Sequence, residues 1–494
     1  MFRDVLVMGG GSAGLMAALA LKTRIPETNV TVVRSQEMGV IGVGESTTPN
    51  MPYFLFDYLG LSRRRFFELA NPTWKLCVHF LWGPRGVFDY TFDSQIDMHP
   101  TNLKRPLGYY CDDDFTSMNM QSALVEAGKA FMRRPDGQPG IRPRDPFHLE
   151  NPKFVKAMEA FCAERGVQLL DAKIKQVERG GEGIAALHLE DGRRLAADFF
   201  IDASGFRSEL LGKTLEEPFN SYGNMLFDDR AVVGSWDRTD EPIMPYTTAE
   251  TMDAGWCWKI EHEQKINRGY VFSSNFISEE QAREEFQRKN PKLKIWDGLI
   301  KFRSGRYQRA WVGNVMAVGN ACGFVEPLES SALMVVGHQV ELFTEMVRNT
   351  GISPSMREAF NSEWGGLWDE IRDFLTLHFW PNTKLQTPYW KHCNNETDLR
   401  HVKPLLDFYQ ENGPCIFAQQ FLKSRGNLFG LAGFLVQLVG NKVPYRNRYV
   451  ATAQEQEIIC NTRCRQRAMA AQGVTVKEAL AYVRHPGWQW AGEN

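Results

Sequence analysis

The chain has 494 residues, 43% of them hydrophobic, and a formal net charge of −2. That is ample material for a large buried core and gives no global basic field for nucleic acid or an anionic membrane surface. Its most apolar stretch, residues 430–440, is far shorter than the roughly 20 residues of a membrane span and reads as a buried helix or strand.

Residues 3–8 (RDVLVM) predict a short apolar strand that starts almost at Met1 and leaves no room for a secretory leader. Gly9, Gly11 and Gly14 follow in GxGxxG spacing, and SAGLMAALALKTRI then reads as a helix whose small residues can press against a sheet. Val30 to Val33 completes a βαβ unit. Glycines there let the backbone approach a pyrophosphate, and the helix start offers its N–H groups and positive partial charge. The unit predicts a dinucleotide, FAD ahead of NAD. Arg34 stands where a ribose-binding acid is expected at the end of the second strand, which argues against a standard NAD site and predicts weaker adenosine binding.

Further along, Arg63, Arg64 and Arg65 read as a solvated helix turn. WKLCVHF at 74–80 reads as one strand, with Lys75, Cys77 and His79 on one face. PKFVKAMEAFCAERG predicts a helix, QLLDAKIKQVERG a strand, and ADFFIDASGFRS a buried strand running into a Gly turn. Trp256 and Trp258 flank Cys257 and share one strand face. Beyond about Ala332 the pattern is largely helical. The fold class is α/β: a Rossmann-like FAD-binding body with an inserted, substrate-side β-sheet over 1–340, and a mainly helical region over 341–494 that completes a substrate pocket. Nine cysteines without regular spacing predict reduced thiols in a cytoplasmic compartment. Cys460 and Cys464 lack a second pair or a nearby histidine, so no metal is expected.

GVGESTTP at 42–49, WKLCVHF, ADFFIDASGFRS, GWCWKI at 255–260 and GNACGFVEPLESSAL at 319–333 resemble, in order and approximate spacing, the motifs of flavin-dependent tryptophan halogenases. The resemblance covers roughly residues 1–390 and includes LHFWPNTKLQTPYW near its end. It implies the two-domain fold of the flavin monooxygenases (GR2 type). It also implies a reaction in which FADH2, O2 and a halide, chloride or bromide, yield hypohalous acid that halogenates an electron-rich ring, preferably an indole.

The same resemblance assigns roles to residues that read more blandly alone. Lys75, otherwise a structural lysine with its head in solvent, becomes the catalytic lysine that polarises hypohalous acid or forms a haloamine. Glu329, otherwise a charge near a helix N-terminus, faces that lysine and accepts the ring proton. Backbone amides of Ser331 and Ala332 become the halide site, with Ala332 standing where the family usually has Gly. Gly10, Ser12, Ala13, Ser46, Asn320 and Leu333 join Gly9, Gly11 and Gly14 around the flavin. Trp256 and Trp258, otherwise aromatic core, block direct access of the substrate to the flavin. Glu261 replaces the proline that usually follows the tryptophan motif. A separate NAD(P)H-dependent flavin reductase is implied as partner, and a homodimer is left open. A flavin aromatic monooxygenase and a flavin-binding module without catalysis share the phosphate loop and remain alternatives at this stage.

Overall fold

In the computed structural model, which describes all residues except 1, 36, 38–43, 95–102, 106, 107, 182, 423–427 and 492–494, the strand Asp4–Met8 lies inside a six-stranded sheet. It pairs in parallel with Asn29–Arg34 on one side and Phe199–Asp202 on the other. Gln168–Asp171 and Val315–Ala317 extend the sheet in parallel, and Trp311–Val312 closes one edge antiparallel. A parallel sheet must be covered on both faces, and strand alternation supplies both. Val5, Val7, Val30, Val32 and Ile201 pack into the large core with the helices Ser12–Arg24 and Ser331–Thr350. Leu6, Met8, Val33 and Phe200 turn the other way, onto a small antiparallel sheet of Ile174–Gly180, Gly183–Leu189 and Arg194–Ala196.

QLLDAKIKQVERG, expected as one strand, is therefore two. Gln168–Asp171 ends the parallel sheet and Ile174–Gly180 starts the small one. The break comes where the Ala172 amide donates to the Arg34 carbonyl at 2.8 Å and the chain leaves the sheet.

The inserted sheet has seven strands, in the order Ile295–Lys301, Arg230–Asp237, Lys265–Phe272, Gly255–Glu261, Tyr246–Met252, Cys77–Leu81 and Phe88–Thr91. WKLCVHF is likewise not a single strand. Thr73–Trp74 pairs with Phe147–Leu149 in a separate three-stranded sheet, whereas Cys77–Leu81 pairs in parallel with Tyr246–Met252. Lys75 and Leu76 form the junction, held by their amides on the carbonyls of Pro146 and Pro245 at 3.0 and 2.6 Å.

The C-terminal region is helical: Pro354–Phe379, Pro388–Glu396, Lys403–Asn412, Gly430–Gly440, Ala453–Ala470 and Val476–Arg484. Residues 430–440 form a buried helix, and among the described residues no helix is long and apolar enough to cross a membrane. The fold class read from the sequence holds. The arginine run differs: Arg63 is buried at the start of the helix Arg63–Ala70, its guanidinium 4.6 Å from the centre of the Phe56 ring. The run is solvated only in part, because this helix start packs against the aromatic segment before it.

Candidate active site

The phosphate loop meets the requirements of a dinucleotide site. Gly9 has φ of +121°, its amide donates to the Val33 carbonyl, and a Cβ there would lie 2.3 Å from the Ala203 carbonyl oxygen. A Cβ on Gly14 would lie 2.0 Å from the Gly9 oxygen. Gly11 differs, because a Cβ there would meet nothing within 4 Å. This open space lies at the N-cap of Ser12–Arg24, a helix start with no side-chain cap and no acidic residue in its first turn. A pyrophosphate suits that position.

Around the loop, the Ser12 hydroxyl donates to Asn151 Oδ1 at 2.8 Å. Ala13 lies against Gly319, beside Asn320 in the short helix Gly319–Ala321. Leu333, with Pro49, Phe54 and Met334, borders a cavity of about 300 Å³. Ser46 is buried, and its hydroxyl is already paired with Thr247 Oγ1 at 2.8 Å. Gly42 and Val43 of the GVGESTTP segment lie outside the described residues. Arg34 lies across the loop: a Cβ on Gly10 would come within 2.6 Å of its stem, and its guanidinium pairs with Glu159 at 2.7 Å. The residues present fit a flavin dinucleotide, with an ion pair beside the glycine loop where an acid was expected.

Lys75 is fully buried. Its Nζ donates to Ser330 Oγ at 2.6 Å and to the Thr47 carbonyl at 3.3 Å, and it lies 5.1 Å from the centre of the Phe92 ring. Burial pulls its pKa down to about 8 from the ordinary lysine value, against the opposing charges of Glu329 and Cys77. Ser330 is the N-cap of Ser331–Thr350, in left-handed backbone conformation with φ of +59°, a strained position for a residue with a side chain. Its hydroxyl does not cap the helix but accepts from Lys75. Ser331 and Ala332, the expected halide site, are the first two residues of that helix.

Glu329 is buried one residue before Ser330. Its Oε1 lies 2.5 Å from His378 Nε2 and 3.5 Å from the Gln437 side-chain nitrogen. His378 comes from the end of Pro354–Phe379 and Gln437 from the middle of Gly430–Gly440. The structure thus brings Lys75 and Glu329 together, with Ser330 beside Glu329 and two further groups, His378 and Gln437, joining from the distant chain.

Trp256 and Trp258 share one face of Gly255–Glu261, with ring centres 6.0 Å apart, while Cys257 packs into a different core on the opposite face. The Trp256 indole donates to Glu326 Oε2 at 2.7 Å. Burial pushes Glu326 up to about 7 and pushes Asp228 well above the carboxylate range, with the charge of Glu326 adding to the effect on Asp228. Glu261, where a proline is usual, continues the strand and pairs with Arg238 at 2.5 Å and Lys259 at 2.6 Å. Among the described residues no group of three potential ligands could hold a metal ion.

The family described as tryptophan halogenase matches residues 4–456. The chain belongs to this family. The tryptophan 7-halogenase KtzQ of Kutzneria sp. (strain 744) is 33% identical over 79% of this chain and 78% of its own length. Among solved structures, MibH, a lanthipeptide tryptophan 5-halogenase, is 36% identical with a TM-score of 0.90 and covers 98% of this chain and 94% of its own. BrvH, a flavin-dependent halogenase from Brevundimonas sp. BAL3, is 26% identical with a TM-score of 0.85 over 98% of this chain and 99% of its own. This protein is a flavin-dependent halogenase.

Sequence reasoning missed Ser330, His378, Gln437 and Glu326 in this halogenase. A signal existed for His378, which lies in the apolar run FLTLHF, because a histidine on a buried helix face needs a polar partner. No pattern pointed from it to Glu329.

Proposed function

We propose that this halogenase uses FADH2, O2 and chloride or bromide to halogenate an indole ring, with Lys75 delivering the halogen and Glu329 removing the ring proton. The observation that carries the reading is the buried Lys75 ammonium, aimed at Ser330 Oγ beside Glu329 at the start of a helix. A lysine whose ammonium is held by a hydroxyl and a carbonyl, with no carboxylate ion pair among the described residues, is costly to bury, and donating to a reagent gives it a use. When bound, the reduced flavin supplies, with oxygen, the oxidising equivalent that converts halide to hypohalous acid. Lys75 then donates toward the hydroxide that leaves as the ring's electron pair takes the halogen. The first-turn amides of Ser331 and Ala332 hold the halide, helped by a Ser330 hydroxyl that leaves them uncapped. A separate reductase supplies FADH2, since the sequence offers one dinucleotide loop.

The proposed substrate is an indole carried by a larger compound, a tryptophan-containing peptide ahead of free tryptophan. MibH, named for a lanthipeptide, is 36% identical, against 33% and 29% for the tryptophan 7-halogenases KtzQ and RebH. The test is mass-spectrometric turnover with FAD, NADH, a flavin reductase and oxygen. Chloride and bromide are supplied separately against indole, L-tryptophan and a tryptophan-containing peptide, with Lys75→Ala as control. A halide isotope pattern that Lys75→Ala abolishes is the expected result. Hydroxylated product without halide dependence overturns the reading, and turnover of free tryptophan alone overturns the substrate class.

A further inference from the structure

The contact between Glu329 and His378 fixes a proton count. Both side chains are buried, at 4% and 0% exposure. His378 Nδ1 lies 2.8 Å from the Phe374 carbonyl oxygen one turn back in its own helix. A carbonyl only accepts, so Nδ1 carries a hydrogen. In a neutral imidazole of that tautomer Nε2 is a lone pair, and a carboxylate oxygen is also only an acceptor. Two lone pairs do not meet at 2.5 Å without repulsion, so the separation of Nε2 from Glu329 Oε1 places one proton between them.

Where that proton resides decides what Glu329 can do. On Oε1 it makes Glu329 a carboxylic acid, unable to act as a base. On Nε2 it makes His378 an imidazolium and leaves Glu329 a carboxylate, with Oε1 committed to His378 and Gln437, so that a proton taken from the ring would go to Oε2. The surroundings fix the imidazole in this orientation. The Phe374 and Phe80 rings lie 4.8 and 5.5 Å from it, and its own carbonyl accepts from the Trp82 indole at 2.9 Å.

We propose that His378 is a positioning residue for proton removal: as an imidazolium it holds the bridging proton on Nε2, so that Glu329 Oε2 stays an anionic acceptor opposite Lys75. This rests on the reading of Glu329 as the base. In the step itself the C–H bond at the halogenated carbon of the cationic ring intermediate breaks and its electron pair restores the aromatic ring. The proton forms an O–H bond on Oε2. The pair then holds two protons, and the second passes to water when product leaves.

The experiment is single-turnover halogenation of indole, unlabelled and deuterated at the ring position that reacts, by the flavin-loaded enzyme and its His378→Leu and His378→Gln variants. FAD binding is followed separately by flavin fluorescence. With His378→Leu the rate is expected to fall on the order of 10-fold or more with FAD affinity unchanged, and a primary deuterium isotope effect appears that the parent enzyme lacks, because proton loss has become limiting. His378→Gln restores an N–H donor to Oε1 and is expected to recover part of the rate and lower the isotope effect. A His378→Leu enzyme that turns over normally, or one that slows with no isotope effect, overturns the proposal, the second outcome marking a merely structural role. If His378→Leu does not fold, His378→Met, which likewise lacks an N–H donor, decides in the same way. Glu329→Gln separates the two ideas: normal halogenation there removes Glu329 as the base, whereas an inactive Glu329→Gln beside a normal His378→Leu removes only the role given to His378.

Discussion

The two ends of the proposed active site are built on different principles. The phosphate loop is contiguous: Gly9, Gly11 and Gly14 lie in one short segment where a strand passes into its helix, and at Gly9 and Gly14 the constraint is a short backbone approach. The Lys75 end is assembled from far apart. Lys75 meets Ser330 across 255 positions, Glu329 meets His378 across 49, and Gln437 reaches Glu329 across 108. A local site needs a correct turn, whereas a dispersed one needs the whole fold in place. The two ends should therefore fail separately when single residues change.

Lys75→Met is the strongest test of that separation. Halogenation should fall by about 10³-fold or more, within the range for loss of a general acid or haloamine, while FAD fluorescence titration returns the affinity of the parent enzyme. A matching loss of FAD affinity would mean that the two ends act as one unit. Glu261→Ala comes next. It strands Arg238, whose side chain is 7% exposed, without its buried partner, and loss of one partner of a buried pair costs about 3 kcal/mol or more. The Glu261 carbonyl also accepts from Thr73, two residues before Lys75. Urea unfolding should show the loss, and halogenation should suffer more than FAD binding.

Lys75 also predicts a pH dependence of stability. Its pKa is about 8 in the folded protein against the ordinary 10.5, so between these values the unfolded chain holds more protons and stability rises with pH. Below about 8 the full cost of the buried ammonium is present, and above 10.5 it is gone. The interval corresponds to about 3 kcal/mol. Lys75→Met should therefore unfold at higher urea than the parent at pH 7, with the gap closing as pH rises from 8 toward 10.5. A gap that stays constant over that range would show that Lys75 does not titrate there.

Legibility followed the same division. The loop, the paired tryptophans and the helical end were readable because turn chemistry and periodicity are properties of short segments. Lys75 and Glu329 were found through motifs around them, but their partners were not. In WKLCVHF an unbroken alternation predicted one strand, yet residues 74 and 77 belong to two different sheets. The sequence carries no mark of the junction because both halves are apolar and the amides of Lys75 and Leu76 are satisfied by prolyl carbonyls far along the chain. Glu261 shows the converse. Its departure from the usual proline was visible, but that it would be buried between Arg238 and Lys259 depended on a strand pairing the sequence did not display.

The smallest expected effect separates a folding glycine from a binding glycine within one loop. At Gly14 an added methyl group would lie 2.0 Å from the Gly9 carbonyl oxygen, which the backbone cannot vacate without opening the turn. Gly14→Ala should destabilise the protein and lower FAD affinity together. At Gly11 the same methyl group meets no protein atom within 4 Å, so Gly11→Ala should unfold at nearly the same urea concentration as the parent. Its cost should appear only when a pyrophosphate needs the space, as a loss in FAD affinity of about tenfold, or 1.4 kcal/mol. Because Lys75 and Glu329 are built from other segments, the rate at saturating FADH2 should remain close to that of the parent. An equal loss of stability at both glycines would mean that Gly11 shapes the turn, and that its open space is not where the cofactor lies.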